Sequence, residues 1–371
     1  GSDRKVFEYG SSVAARQVRY GTMLERLDII VFSPRKNSLA KKSLSNNVYV
    51  YPTNSFSRLL YVFDAIRLAF RLERPDFVSV QDPFESGLAG YIISKYFGVP
   101  LHVQIHTDFM SPYFYLDSLL NKIRYFISKF IIPKASCLRV VSKRIEESLM
   151  SSGLVMDGSK IRVLPIYVNV NAIKNTKATV DLHRKYSQFK FIILMASRLT
   201  KEKDVGLAID AMGQIVKKIP SVGLLILGDG PKVQALRRSV KDVGLSSNII
   251  FEPWNTDLVS YYKTADVFLL TSKFEGYAMT AVESLAAGTP VIMTDVGCAG
   301  DVVVDGQNGL IFPVGDLKAA IDKIEKIITD QKLREHLKSG VMTMAWPGGS
   351  EEDYLREYKR GWECAIKTQI K

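Results

Sequence analysis

The sequence predicts an α/β protein made of two doubly wound domains in tandem, followed by a single helix. Three observations carry this prediction. Short, near-continuous apolar runs alternate with stretches of helical period. The alternation restarts once, after a polar segment over 168–188 that lacks a clear period. The last stretch, 350–367, has helical period and no strand after it. At 371 residues the chain exceeds one ordinary core and suffices for two. The domains are read as 1–173 and 174–349, with the helix over 350–371 returning to the first.

The first set of strands is read at 27–32, 48–51, 77–80, 101–105, 137–141 and 161–164. The second is read at 189–195, 224–227, 249–251, 267–270, 291–293 and 310–312. Their β-branched, continuously apolar character suits strands buried on both faces. Open parallel sheets bind ligands beyond the carboxyl ends of their strands, so an interdomain cleft is the expected place for a substrate.

Composition narrows the function. Apolar residues make up 47% of the chain and charged residues 24%, as in a soluble globular protein. No apolar run reaches the ~18 residues a membrane span needs, and no secretory signal is visible. A cytoplasmic protein is expected, either free or peripheral on the inner face of the cell membrane. Cys137, Cys298 and Cys364 are far apart, with neither metal-site spacing nor a disulfide framework, so a reducing compartment is expected. His102 and His106 fall in one strand, roughly 13 Å apart and too far to share a metal, while His183 and His336 are isolated. No metal site is expected. The net charge of +12 attracts polyanions: nucleic acid, anionic lipid or phosphorylated substrates.

The most informative segment runs from Lys273 to Ile292. A strand ends, a loop carries Glu275 and Gly276, a helix follows from Met279, Gly288 suits its left-handed cap, and Pro290 follows the stop. Gly276 permits close backbone approach to a ligand. The amides of Ala278, Met279 and Thr280 at the helix start suit an anion, and Glu283 lies about one turn in. A phosphate on the amides and sugar hydroxyls on the two acids would fit. Alternatively, the two glutamates are solvated acids favoured by the helix dipole.

A second strand leads into Arg198, Lys201 and Lys203, with Asp204 placed to cap the next helix. The fork of Arg198 and the point charge of Lys203 suit a diphosphate; a solvated basic loop is the other reading. Leu227-Gly-Asp-Gly-Pro follows a further strand and is ordinary turn chemistry by itself.

Together these residues resemble the donor domain of the retaining glycosyltransferases of family 4, which have the GT-B fold of two Rossmann-like domains. Glu275 and Glu283 match that family's E-x7-E motif, and Ala196-Ser-Arg-Leu-Thr-Lys-Glu-Lys resembles its G-R-L-x-x-x-K segment. Leu227-Gly-Asp-Gly-Pro and Asp305-Gly-Gln-Asn-Gly-Leu-Ile match two further segments in the same order. The resemblance covers most of the chain and is weaker in the N-terminal half.

The resemblance implies roles. Arg198 and Lys203 would hold the donor diphosphate and stabilise the leaving group. Glu283 would bind the ribose, and Glu275 would sit at the transferred sugar. Backbone at Ala278–Thr280 would serve the distal phosphate or sugar, and Pro253 and Trp254 would face the base. His106 resembles the residue that contacts donor sugar or acceptor, with Asp108 a fainter acceptor contact. Gly10 and Ser11, in a segment resembling the loop after the first strand, would approach phosphate or acceptor. Transfer would retain the anomeric configuration and require no metal or other cofactor beyond the nucleotide-sugar. A UDP-sugar is the first expectation and a GDP-sugar the second, with a glycan or lipid-linked acceptor.

The chain departs from the family in places. The family's first strand should precede Asp3, and Gly1-Ser2 reads as a cloning remnant, so that strand is expected either to be missing by truncation or to be supplied differently. The family's usual Gly is Ala196 here, and an Asp often found near Asn169 is absent.

The segment 119–134 has helical period, with Leu119, Leu120, Ile123, Phe126, Ile127, Phe130 and Ile131 on one face and Lys122, Arg124 and Lys129 toward the other. Such a helix either lies on an anionic membrane or turns its apolar side to the core. The segment 58–71 is a second, weaker candidate. Two further readings differ in class. One is a sugar-nucleotide epimerase or phosphorylase of the same fold. The other is a basic nucleic-acid-binding protein, for which no aromatic-basic sheet or recognition helix is evident.

Overall fold

The computed structural model describes residues 1, 3–346 and 349–368, and among these the chain forms two compact units. The first comprises Gly1–Val141, Ile145–Pro165 and the chain from Ser350; the second comprises Ser142–Arg144 and Ile166–Gly349. The boundary at Pro165 precedes the expected 173/174, because Val170–Asn175 and Leu182–Lys185, read as linker, are helices that pack in the second unit.

The strands of the first unit are β1 (Leu27–Val31), β2 (Lys42–Ser45), β3 (Val48–Pro52), β4 (Val78–Val80), β5 (Leu101–Ile105), β6 (Cys137–Val140) and β7 (Ile161–Val163). They form two sheets. The first has the order β1-β3-β2, with β2 an antiparallel edge that the sequence reading missed. The second is a parallel β4-β5-β6-β7 sheet. Gly1 lies along β1, its amine donating to Ile30 O at 3.0 Å and its carbonyl accepting from Phe32 N at 2.8 Å.

All of β5 is buried, including His102 and Gln104. Buried polar groups require partners. Gln104 donates to the Tyr358 hydroxyl at 2.7 Å and accepts from buried Arg139 at 2.7 Å. Arg139 also donates to Leu164 O, Pro165 O and the Tyr354 hydroxyl, and lies 4.7 Å from the centre of the Tyr358 ring. Tyr354 and Tyr358 belong to the helix Glu351–Thr368, which packs on β5 and β6 as part of the first unit. Tyr358 stacks on Tyr20 at 4.3 Å, and Trp362 meets Tyr20 edge-on.

This packing corrects the reading of the cysteines. Cys137 on β6 and Cys364 on the C-terminal helix form a disulfide, with Cα atoms 5.9 Å apart. The two are 227 residues apart in sequence, and only the docking of the helix makes them neighbours. Cys298 is free and buried.

The second unit has one parallel sheet of six strands: β8 (Phe191–Ala196), β9 (Val222–Leu227), β10 (Ile249–Glu252), β11 (Val267–Leu270), β12 (Val291–Thr294) and β13 (Gly309–Phe312). Their order is β10-β9-β8-β11-β12-β13. Ile193, Met195, Leu224, Ile226 and Leu269 point to a core closed by Ala208, Ile209, Met212 and Ile215 of the helix Val205–Lys218. No helix among the described residues is long and apolar enough to cross a membrane.

Candidate active site

The strand order of the second unit brings the candidate site residues of two loops to one sheet edge. From β8 the chain builds outward through β9 to β10, then returns to lay β11 on the other side of β8. At such a reversal the loops leaving the two central strands diverge to opposite faces and leave a crevice at the strands' carboxyl ends. The loop after β8 carries Arg198 and Lys203; the loop after β11 carries Glu275 and Gly276.

The two loops meet. Lys203 Nζ lies 2.5 Å from Glu275 Oε1, with side chains only 16% and 13% exposed. Ser272 Oγ donates to the same oxygen at 2.7 Å. The backbones are tied as well: Thr271 Oγ1 donates to Lys203 O at 2.9 Å and Asp204 O at 3.0 Å, and Lys273 N donates to Glu202 O at 2.7 Å. Asp204 does not cap its helix. It stands at φ +46°, makes no capping bond, and pairs with Lys273 at 3.5 Å. Arg198 is exposed, its guanidinium 3.8 Å from Glu202.

The helix Met279–Ala286 starts at Ala278, which holds φ +68° and offers no side-chain acceptor to the first-turn amides. A helix start of this kind favours an anion. Glu283, one turn in, accepts from the Tyr262 hydroxyl at 3.1 Å; burial raises its pKa against that hydrogen bond. Gly276 is buried, and Gly288 ends the helix at φ +93°.

Residues outside the expected set hold these loops. A Cβ on Gly228 would stand 1.9 Å from Ser197 O, and one on Gly230 would stand 2.5 Å from Leu199 O. The Gly-Asp-Gly turn therefore braces the Arg198 loop, and Leu199 N donates to Asp229 O at 2.8 Å. A Cβ on Gly297 would meet Tyr277 C at 2.9 Å and Glu275 Cβ at 3.0 Å, and Cys298 N donates to Tyr277 O. The 296–299 segment thus backs the Glu275 loop; its only local signal is a glycine just after a strand. Pro253 and Trp254 follow β10, Trp254 half exposed. Just before them, Glu252 accepts from Lys185 at 2.7 Å and from the Tyr186 and Tyr261 hydroxyls. Burial opposes that charge, but these three donors hold the carboxyl below its ordinary pKa.

In the first unit, His106 follows β5 and its Nε2 is buried without a hydrogen-bond partner. Burial first, then the charges of Arg139 and Arg16, lower its pKa to about 3, so it is neutral at neutral pH. Asp108 is buried two residues on. Gly10 has φ +68° and open space around it; Ser11 caps the helix Ser12–Gly21 by accepting from Ala14 N at 3.1 Å.

The helix Leu119–Ile131 turns its apolar stripe outward. Leu119, Ile123 and Phe126 are 75%, 50% and 61% exposed, whereas Asn121, Ser128 and Ile131 are buried. Lys122 and Lys129 lie on the same helix, and Leu59 and Phe63 are exposed beside Arg58 and Arg67. The helices Tyr61–Ala69 and Leu119–Ile131 both pack against Glu85–Phe97.

Comparison with known proteins agrees with this architecture. A family model described as glycosyl transferases group 1 matches residues 182–341, and one described as glycosyltransferase family 4 matches 20–172. A capsular polysaccharide biosynthesis glycosyltransferase, CapM of Staphylococcus aureus, is 30% identical over 281 residues, covering 72% of this chain and 71% of that protein. The alpha-monoglucosyldiacylglycerol synthase of Acholeplasma laidlawii is 26% identical over 283 residues, covering 71% and 70%. Among solved structures, Anabaena HepE in complex with UDP and glucose superposes with a TM-score of 0.74 at 19% identity, covering 98% of this chain and 97% of that one. Sucrose-phosphate synthase from Thermosynechococcus elongatus gives 0.75 at 20% identity, covering 95% and 92%. The chain therefore belongs to glycosyltransferase family 4 and is a glycosyltransferase of the GT-B fold.

Proposed function

We propose that this enzyme transfers a hexosyl unit from a UDP-sugar, with a GDP-sugar as the second candidate, to a glycan or lipid-linked acceptor, retaining the anomeric configuration without a required metal. The observation that carries the reading is the Lys203–Glu275 pair beside a helix start with no side-chain cap. Cleaving the sugar–diphosphate bond leaves its electron pair on the nucleotide. Arg198 and Lys203 meet that developing negative charge in place of a metal ion, and the amides of Met279 and Thr280 add donors. Glu275 takes sugar hydroxyls and Glu283 the ribose. His106, neutral at neutral pH, exchanges hydrogen bonds with donor sugar or acceptor without repelling or attracting charge. The UDP in the HepE complex supports the choice of base, and the names of the capsular and diacylglycerol relatives support the acceptor class.

The outward apolar stripe of the helix Leu119–Ile131, rimmed by lysines on a chain of net charge +12, fits an anionic membrane surface. There the enzyme would meet a lipid-linked acceptor in polysaccharide or glycolipid synthesis.

Calorimetry with UDP, GDP and ADP and their sugar conjugates, with and without EDTA, tests the donor. Saturable binding of one nucleotide, unchanged by EDTA and lost in Arg198→Ala, is expected. A folded protein that binds none of them refutes the donor site, and a product of inverted configuration by NMR refutes retention. Ile123→Asp/Phe126→Asp is expected to abolish binding to anionic vesicles; unchanged binding rejects this helix as the anchor.

A further inference from the structure

We infer that the Cys137–Cys364 disulfide is a thiol-exchange site, open to a small anionic thiol at Cys364 and closed at Cys137. The two sulfurs differ in access. Cys137 lies on β6 with no exposed surface, whereas Cys364 is half-buried and lines an open cavity of about 370 Å³. That cavity is bounded by Arg162, Glu357, Arg360, Glu363 and Lys367. Arg360 pairs with Glu357 at 2.5 Å, while Arg162 and Lys367 have no carboxylate partner among the described residues. Two free cations therefore face one remaining acid, and the mouth of the cavity carries net positive charge.

Exchange depends on which sulfur the attacking thiolate can reach. A thiolate in the cavity attacks Cys364 Sγ and forms a mixed disulfide there. The Cys137–Cys364 bond breaks, and its electron pair leaves on Cys137 sulfur, which takes a proton because its buried surroundings disfavour the anion. A second thiolate attacks the mixed disulfide, frees Cys364 and departs as the small oxidised disulfide. The protein is reduced by two electrons and two thiols are oxidised; a small disulfide reverses both steps. The basic cavity raises the local concentration of an anionic thiol over a cationic one. Tyr358, Trp362 and the Gln104–Tyr358 bond continue to hold the helix, so exchange releases its last turns without unfolding the first unit.

The test uses the whole oxidised chain under native conditions. Glutathione (anionic), 2-mercaptoethanol (neutral) and cysteamine (cationic) are compared at equal thiolate concentration, at low and high salt, and adducts are mapped by peptide mass spectrometry. We expect the adduct on Cys364, with glutathione faster than cysteamine by roughly 3–10-fold at low salt. High salt should narrow the gap, and Arg162→Glu/Lys367→Glu should invert it. Arg162 and Lys367 are exposed, so the fold tolerates both changes. An adduct on Cys137, rates blind to thiol charge, reaction only in denaturant, or failure of glutathione disulfide to close the bond would each overturn the proposal.

Discussion

Replacing Lys203 by methionine keeps the length of the stem and deletes the charge. Glu275 would then keep only the Ser272 hydroxyl on the oxygen that now accepts from both. Both side chains are less than one-fifth exposed, so water restores the lost partner only in part. Removing one member of a buried pair costs about 3–5 kcal/mol, and the remaining exposure here brings the expected loss to about 2–4 kcal/mol. Glu275→Gln, which strands the ammonium instead, should cost a similar amount. The double variant carries no unpaired charge and should recover to within about 1 kcal/mol of the parent, so its loss should fall short of the sum of the two single losses by at least about 3 kcal/mol. Activity should not recover. Each single variant should lose at least ~100-fold in sugar transfer, the scale of one transition-state electrostatic contact, and the double variant should stay as low. Urea unfolding and a nucleotide-release assay read the two quantities. Stability losses that simply add would show that the pair is not coupled. Normal transfer by either folded single variant would remove that residue from the site.

Three further outcomes follow from the geometry. Gly228→Ala would put a Cβ 1.9 Å from Ser197 O, so the Arg198 loop must shift; at least ~2 kcal/mol of stability and tenfold in donor affinity should be lost, and wild-type calorimetry would refute the bracing role. His102 and His106 are held from an ordinary 6.5 to about 3, mainly by burial. A histidine with a depressed folded pKa contributes its stability above the unfolded value and loses it as pH falls toward the folded one. Stability should therefore drop by about 1–3 kcal/mol from about pH 7.5 to 5.5, and less in His102→Gln; an equal drop in that variant would exclude His102 as a source. Cys364→Ser removes a crosslink between residues 227 apart, and the loss should be about 2–5 kcal/mol by chemical denaturation, vanishing when parent and variant are compared in reductant.

Much of this molecule is readable along the chain. Every strand of the second unit lies within a few residues of its apolar run, because a strand buried on both faces must be apolar over its own length. The stop at Gly288–Pro290 and the turn at Gly228–Gly230 are legible for the same reason: they answer a local backbone demand. The resemblance places Lys203, Glu275 and Glu283, although neither composition nor period says that Lys203 and Glu275 touch. That contact exists because β11 is laid beside β8, a choice of strand order among elements about seventy residues apart. The same holds for Lys185 and Tyr186, which look like linker and close on Glu252, and for Gly297, whose missing Cβ leaves room for Glu275. Period showed that the helix Leu119–Ile131 has an apolar stripe; only packing decided that Asn121 and Ser128 go in and Phe126 stays out. Cys137 and Cys364 are the plainest case. Each is unremarkable in its own neighbourhood, and they meet because the final helix lies across β6. Local sequence carries period and turn chemistry, whereas contacts between distant segments are set by which buried faces fit one another.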